Sequence, residues 1–159
     1  KRFEGTCVDS VALLDGLGAD ELLEHAGASL PYNPRGMSTR FHVAHDCGQI
    51  INPDGLRNQI EGNVVQTVSR TLIEEIKFDR SRVTSVDWAS YPILRFSGVP
   101  KIDIELIDRP TEKPVGAGEA ACTTVGAALA NAVYNATGTR LRTVPFTPER
   151  VKLALTGKA

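Results

Sequence analysis

The residues with most chemical promise in this 159-residue chain are Pro114-Val115-Gly116-Ala117-Gly118-Glu119. Two glycines separated by one alanine leave a stretch of backbone bare, so that main-chain groups and a single acid can approach a ligand closely. The small-residue run over residues 120–133 reads as a helix starting at that acid. Helix amides would favour an ionised Glu119, whereas burial in a dry pocket would favour the protonated acid. Two readings stay open on these residues alone: Glu119 accepts a proton, or it caps the helix. The string is neither a P-loop nor a dinucleotide fingerprint, because it lacks Gly-Lys-Ser/Thr and the G-x-G-x-x-G spacing.

Gln59 and Gln66 stand two helical turns apart, so both can lie along one helix face. A side-chain amide donates and accepts, which suits the edge of a heterocyclic cofactor, and equally suits solvent. Asn58 and Asn63 carry the same two readings. His45 and Cys47 would share a strand face, but two ligands do not close a metal site, and the segment reads as a structural loop with Cys47 partly buried.

The elements that must position these groups follow from pattern. Phe41, Val43 and Ala44 read as a strand running into the His45-Asp46-Cys47-Gly48 loop. Asn52 as N-cap and Pro53 in the first turn open a helix whose apolar stripe is Ile60, Val64, Val68 and Leu72, widened by Val65 and Ile76. Residues 74–78 and 83–88 read as a hairpin around a polar turn, and Pro92 makes residues 91–96 an edge strand or extended loop. Ile102-Asp103-Ile104-Glu105-Leu106-Ile107 alternates as a half-buried strand does. The helix after Glu119 is expected to bury Cys122, Val125, Leu129 and Val133 and to end at Gly138, and Thr147-Pro148 opens a last short helix. In residues 1–38, Val11, Leu13, Leu14 and Leu17, then Leu22, Leu23 and Ala26, have the spacing of one or two short helices. The chain thus divides into a leader or helical extension over residues 1–38 and a main domain over residues 39–159.

Composition narrows the function classes. The chain is 42% hydrophobic and 23% charged, ordinary globular usage, and its formal net charge of -1 offers no broad attraction for nucleic acid or anionic lipid. Three scattered cysteines form neither a disulfide framework nor a zinc pattern. No apolar run has bilayer-crossing length, so no membrane insertion is expected and the chain reads as soluble, without a compartment being indicated.

In order along the chain stand Val43-Ala44-His45-Asp46-Cys47-Gly48-Gln49-Ile50-Ile51-Asn52-Pro53-Asp54-Gly55, Asn58-Gln59-Ile60-Glu61-Gly62, Tyr91-Pro92-Ile93-Leu94-Arg95-Phe96, Gly116-Ala117-Gly118-Glu119 and Pro145-Phe146-Thr147-Pro148-Glu149-Arg150-Val151. This succession resembles the C-terminal part of the molybdopterin-binding large subunit of the xanthine dehydrogenase and aldehyde oxidase family, in the branch of the isoquinoline 1-oxidoreductase beta subunit and aldehyde dehydrogenase. The resemblance covers about residues 40–155, and several ordered motifs are far more specific than one. Asn63 and Thr67 stand where family members commonly carry glycine.

The resemblance implies an α+β fold, a two-layer mixed sheet with helices packed on one face. It implies that Glu119 matches the catalytic base of a molybdenum hydroxylase that oxidises an N-heterocycle or an aldehyde. It places Gln59 beside the pterin and Gly116, Ala117 and Gly118 in a loop passing close to the cofactor. The implied cofactor is molybdopterin in its cytosine dinucleotide form, held only together with segments outside these 159 residues. The implied partners are the rest of the large subunit and an iron-sulfur subunit. Family large subunits are several times longer, so the expectation is a fragment inactive by itself. The alternative is a free-standing remnant or interaction domain, able to form a homo-oligomer, that kept the fold and lost the cofactor.

Overall fold

The computed structural model describes residues 8–14 and 39–157. Three strands, β1 (Val8–Leu14), β2 (Thr39–Asp46) and β3 (Lys101–Ile107), form one mixed sheet in the order β1-β2-β3. The helices are α1 (Pro53–Leu72), α2 (Cys122–Thr137) and α3 (Pro148–Leu155), and a single 3-10 turn covers Phe96–Gly98. β1 runs antiparallel to β2, whereas β3 runs parallel to it. Among the described residues the architecture is α+β, a sheet layer and a helix layer.

The alternation of β2 sets the layers. Phe41, Val43 and His45 are buried while His42 is exposed, so one face of the strand enters the core. From the helix layer, Leu56, Ile60, Val64 and Val68 of α1 and Val125, Leu129 and Val133 of α2 pack into the same cluster. Each helix therefore presents one apolar stripe to the sheet, and burial of these stripes is the main force that closes the domain.

Local capping agrees with sequence. Asn52 Oδ1 accepts the Gly55 amide at 2.9 Å with Pro53 in the first turn of α1. Gly138 takes φ 70° just past α2, a left-handed torsion that glycine adopts without a Cβ penalty. Thr147 caps α3 through the Arg150 amide, with Pro148 following.

Several expectations are corrected. Val11, Leu13 and Leu14 belong to a strand and not a helix, since their segment pairs with β2 from Val8 against His45 to Leu14 against Thr39. A leucine-rich stretch satisfies helical spacing, yet an available strand edge decides its state. Leu17, Leu22, Leu23 and Ala26 lie outside the described residues. The hairpin over residues 74–88 shrinks to one bridge between Phe78 and Val83. Asp79 accepts from the Ser81 and Arg82 amides, and Asp87 from Ala89 and Ser90, so local side-chain bonds turn the chain before a ladder can extend. Ile76 is 59% exposed beyond the end of α1 and does not widen its stripe. Cys122 is half-buried rather than core, because it stands at the first position of α2, at the rim of the helix layer. Residues 92–95 form an extended loop without ladder pairing, held to α1 where Ser69 Oγ accepts the Leu94 amide at 2.9 Å.

No helix among the described residues is long and apolar enough to cross a membrane.

Candidate functional site

Parallel pairing brings the carboxyl ends of β2 and β3 side by side, with Asp46 opposite Ile107. Loops leaving from one end of parallel strands are where open sheets present ligand-binding groups. Here those loops are residues 47–52 and 108–121, and they are tied together. Asp46 accepts the Gly48 amide through Oδ1 at 3.1 Å and pairs with Arg109 Nε through Oδ2 at 2.6 Å. Asp108 Oδ1 accepts the Ile50 amide at 3.2 Å, and the Cys47 carbonyl accepts the Val115 amide at 2.9 Å.

Gly48 explains how the loops lie so close. It adopts φ 76°, and a Cβ on it would stand 2.2 Å from the Lys113 carbonyl oxygen. Only a residue without a side chain permits this approach. The chain then runs on through Pro114 and Val115 to the glycines.

The helix α1 supplies the second anchor. Gln59 Nε2 donates to the Gly118 carbonyl at 2.7 Å, joining residues 59 positions apart. Gln59 and the Gly116-Ala117-Gly118-Glu119 loop, separate in sequence, thus form one surface. Gly116 and Gly118 are exposed, with no atom within 4 Å of a would-be Cβ, so open space lies in front of that backbone. Ala117 is half-buried against the core and fixes the middle of the loop. Gln66 and Asn58 are exposed, and their side-chain amides make no hydrogen bond among the described residues. Asn63 is buried and contacts Cys122.

Glu119 is exposed at the edge of this surface. The helix starts at Cys122 and not at Glu119, and among the described residues no side chain caps its first turn. The carboxylate is therefore not spent on capping. Its backbone carbonyl does accept the Cys122 amide at 3.1 Å, so the residue is held through its main chain while its acid group is free of the helix end.

Below the loops, His45 and Cys47 share the buried side of the strand end. Burial, with the Asp46 and Asp108 charges, pushes the Cys47 thiol up, which keeps it protonated and unsuited to nucleophilic attack. His45 is fully buried, and neither ring nitrogen has a hydrogen-bond partner among the described residues. Burial lowers its pKa from 6.5 more than the Asp46 charge raises it, so the folded domain holds a neutral ring. A neutral buried histidine binds fewer protons than the unfolded chain once pH falls below 6.5, so acid removes stability there. His45→Val should raise stability by about 1–3 kcal/mol, because it removes unpaired buried polar atoms. It should also flatten the fall in stability below that pH. Denaturant midpoints at pH 5.5 and pH 8 check both, and equal pH slopes for the two proteins would refute the assignment.

Sequence reasoning missed three contributors: Gly48 as the point of closest approach, the Asp46 and Arg109 pair, and the contact of Asn63 with Cys122. The His45-Asp46-Cys47-Gly48 string signalled a loop, but the loop it meets lies 58 or more residues away and no local pattern names it.

Comparison with known proteins bears on this arrangement. Residues 37–100 match the molybdopterin cofactor-binding domain family. A nicotinate dehydrogenase chain of Pseudomonas putida is 48% identical over 120 residues, 76% of this chain and 10% of that protein. The beta subunit of isoquinoline 1-oxidoreductase from Brevundimonas diminuta is 29% identical over 119 residues, 75% of this chain and 15% of that protein. The crystal structure of quinoline 2-oxidoreductase from Pseudomonas putida 86 superposes with a TM-score of 0.65 at 31% identity, covering 74% of this chain and 16% of that one. The chain thus spans between 10% and 16% of the length of these relatives.

Proposed function

The chain belongs to the molybdopterin-binding xanthine oxidase family, and on that premise we propose that it is a segment of a molybdenum hydroxylase large subunit that supplies the base for hydroxylating an N-heterocycle. The observation that carries this reading is the 2.7 Å bond from Gln59 Nε2 to the Gly118 carbonyl, which unites the two motifs into one surface ending in an exposed carboxylate with no hydrogen bond among the described residues.

The residues present fit the cofactor. The exposed, side-chain-free backbone at Gly116 and Gly118 leaves room for a flat ring system, since no atom lies within 4 Å of where a Cβ on either glycine would stand. Gln59 spends one amide proton on Gly118, which leaves its carbonyl oxygen and second proton for a pterin edge. When bound, the molybdenum centre supplies the two-electron oxidation, and the protein supplies position, charge and exclusion of water. Glu119 would accept the proton of the water-derived hydroxyl that adds to the substrate carbon, as the two-electron oxidation removes the hydrogen which that carbon carried. Ala117, packed against the core, and Gln59, bonded to the Gly118 carbonyl, hold the loop so that this acid keeps its place.

The main domain is residues 39–159, to which β1 adds one strand. The rest of the large subunit closes the cofactor pocket and an iron-sulfur subunit removes electrons, and the cofactor is the cytosine dinucleotide form. The similarity to a nicotinate dehydrogenase at 48% identity favours a carboxylated N-heterocycle over an aldehyde. The test is a substrate panel on the full-length protein purified with its partners. kcat/KM for nicotinate-like heterocycles is expected at least about tenfold above that for aromatic aldehydes, a difference of about 1.4 kcal/mol at the transition state. The reverse order assigns aldehyde oxidation, and no turnover with any of them supports a remnant that kept the fold and lost the cofactor.

A further inference from the structure

Glu119 is fixed through its backbone on both sides, and both anchors lead to one helix. Before it, the Gly118 carbonyl is held by Gln59 Nε2 at 2.7 Å. After it, the Glu119 carbonyl accepts the Cys122 amide at 3.1 Å. Cys122 in turn is gripped by Asn63, whose Oδ1 accepts the thiol at 3.4 Å and whose backbone carbonyl lies 3.7 Å from the same sulfur. Gln59 and Asn63 are four residues apart, neighbours on one face of α1. A single rigid element therefore sets both ends of the turn that carries the acid.

Asn63 is a costly residue to place there. It is 5% exposed, and its Nδ2 has no hydrogen-bond partner among the described residues. A buried donor left unpaired opposes folding, so the side chain is not explained by stability. The thiol it binds is a weak donor, so the bond adds little energy while fixing direction. What the pair delivers is an orientation for the first turn of α2 and the residues leading into it.

From this geometry we infer that Asn63 is a positioning residue for Glu119, acting through Cys122 as the counterpart of Gln59 at Gly118. The inference rests on the reading of Glu119 as the base. It assigns to Asn63 the task of holding the 119–122 turn, so that loss of its amide displaces the acid without emptying the site. Small misplacement of a catalytic group lowers turnover far more than binding.

The test uses the full-length holoenzyme with Asn63→Ala, Cys122→Ala, Cys122→Ser and the Asn63→Ala/Cys122→Ala double variant. Asn63→Ala should lower kcat about tenfold, with KM within about twofold and molybdenum content unchanged. Cys122→Ala should do the same, whereas the hydroxyl donor of Cys122→Ser should keep kcat within about threefold of the parent. The double variant should lose no more than the worse single one, since both remove the same contact. Independently of turnover, amide hydrogen exchange at Cys122 should quicken about tenfold in Asn63→Ala, in protein with or without metal. Should Asn63→Ala fail to fold, the two Cys122 variants decide the matter. Unchanged kcat in both alanine variants, or losses that simply multiply in the double variant, overturn the inference. Its failure is separable from that of the base assignment. Full activity in Glu119→Gln would remove the base, whereas an inactive Glu119→Gln beside fully active Asn63 and Cys122 variants would remove only the clamp.

Discussion

Gly48→Ala should release the 108–121 loop from the sheet and show it as faster exchange of the Val115 amide. That amide is bonded to the Cys47 carbonyl at 2.9 Å, across the contact that the new methyl would invade. Two costs combine. Alanine at φ 76° enters the left-handed region, and its Cβ would sit 2.2 Å from the Lys113 oxygen and 3.0 Å from the Lys113 carbonyl carbon. These are backbone atoms, which cannot swing aside as a side-chain end can, so the 113–118 segment must shift bodily. Torsional strain costs about 1–3 kcal/mol, and overpacking a close contact costs about as much again. Even about 2 kcal/mol corresponds to roughly thirtyfold faster opening. Gly48→Asn separates the two costs, because asparagine tolerates the torsion but brings the same Cβ. It should therefore stay well below the parent in protection. An unchanged Val115 exchange rate in Gly48→Ala, or parental behaviour in Gly48→Asn, would show that the loops do not meet there.

Much of the scaffold around that contact was legible in the amino-acid string because its causes are local. Asn52-Pro53 and Thr147-Pro148 open helices through side-chain and torsional chemistry confined to one turn, and Gly138 closes one the same way. The alternation over Ile102-Asp103-Ile104-Glu105-Leu106-Ile107 reports a strand whose Ile102, Ile104 and Leu106 are half-buried against the core. The stripe of Ile60, Val64 and Val68 is buried as a single face. Local rules failed where distant partners decide. The strand state of Val8–Leu14 depends on the edge of β2, which begins only at Thr39 and lies across the whole intervening segment. α2 starts at Cys122, three residues past Glu119, and Glu119 makes no side-chain bond to its first turn among the described residues, which the run of small residues could not reveal. The candidate site was half visible. Glu119, Gln59, Gly116, Ala117 and Gly118 stood out by type and order, yet their meeting needed the Gln59 bond to Gly118, a contact across 59 positions. Asn63 and Gly48 became meaningful only through the atoms they face, the Cys122 thiol and the Lys113 carbonyl.

These contacts converge on one acid. The proposed base is exposed, not engaged in capping, and set in a turn with backbone anchors on both sides. Glu119→Gln keeps the size and shape of the side chain and removes only its ability to take up a proton. The loop bonds involve Gln59, Gly118 and Cys122 and not the Glu119 carboxylate, so the substitution leaves the proposed cofactor face intact. General base catalysis is worth about a hundred- to ten-thousand-fold in rate. The decisive measurement is kcat together with molybdenum content for Glu119→Gln in the full-length protein assembled with its partners. We predict a loss of turnover of about a hundredfold or more with metal content equal to the parent, and turnover within about twofold of the parent at equal metal would contradict the assignment.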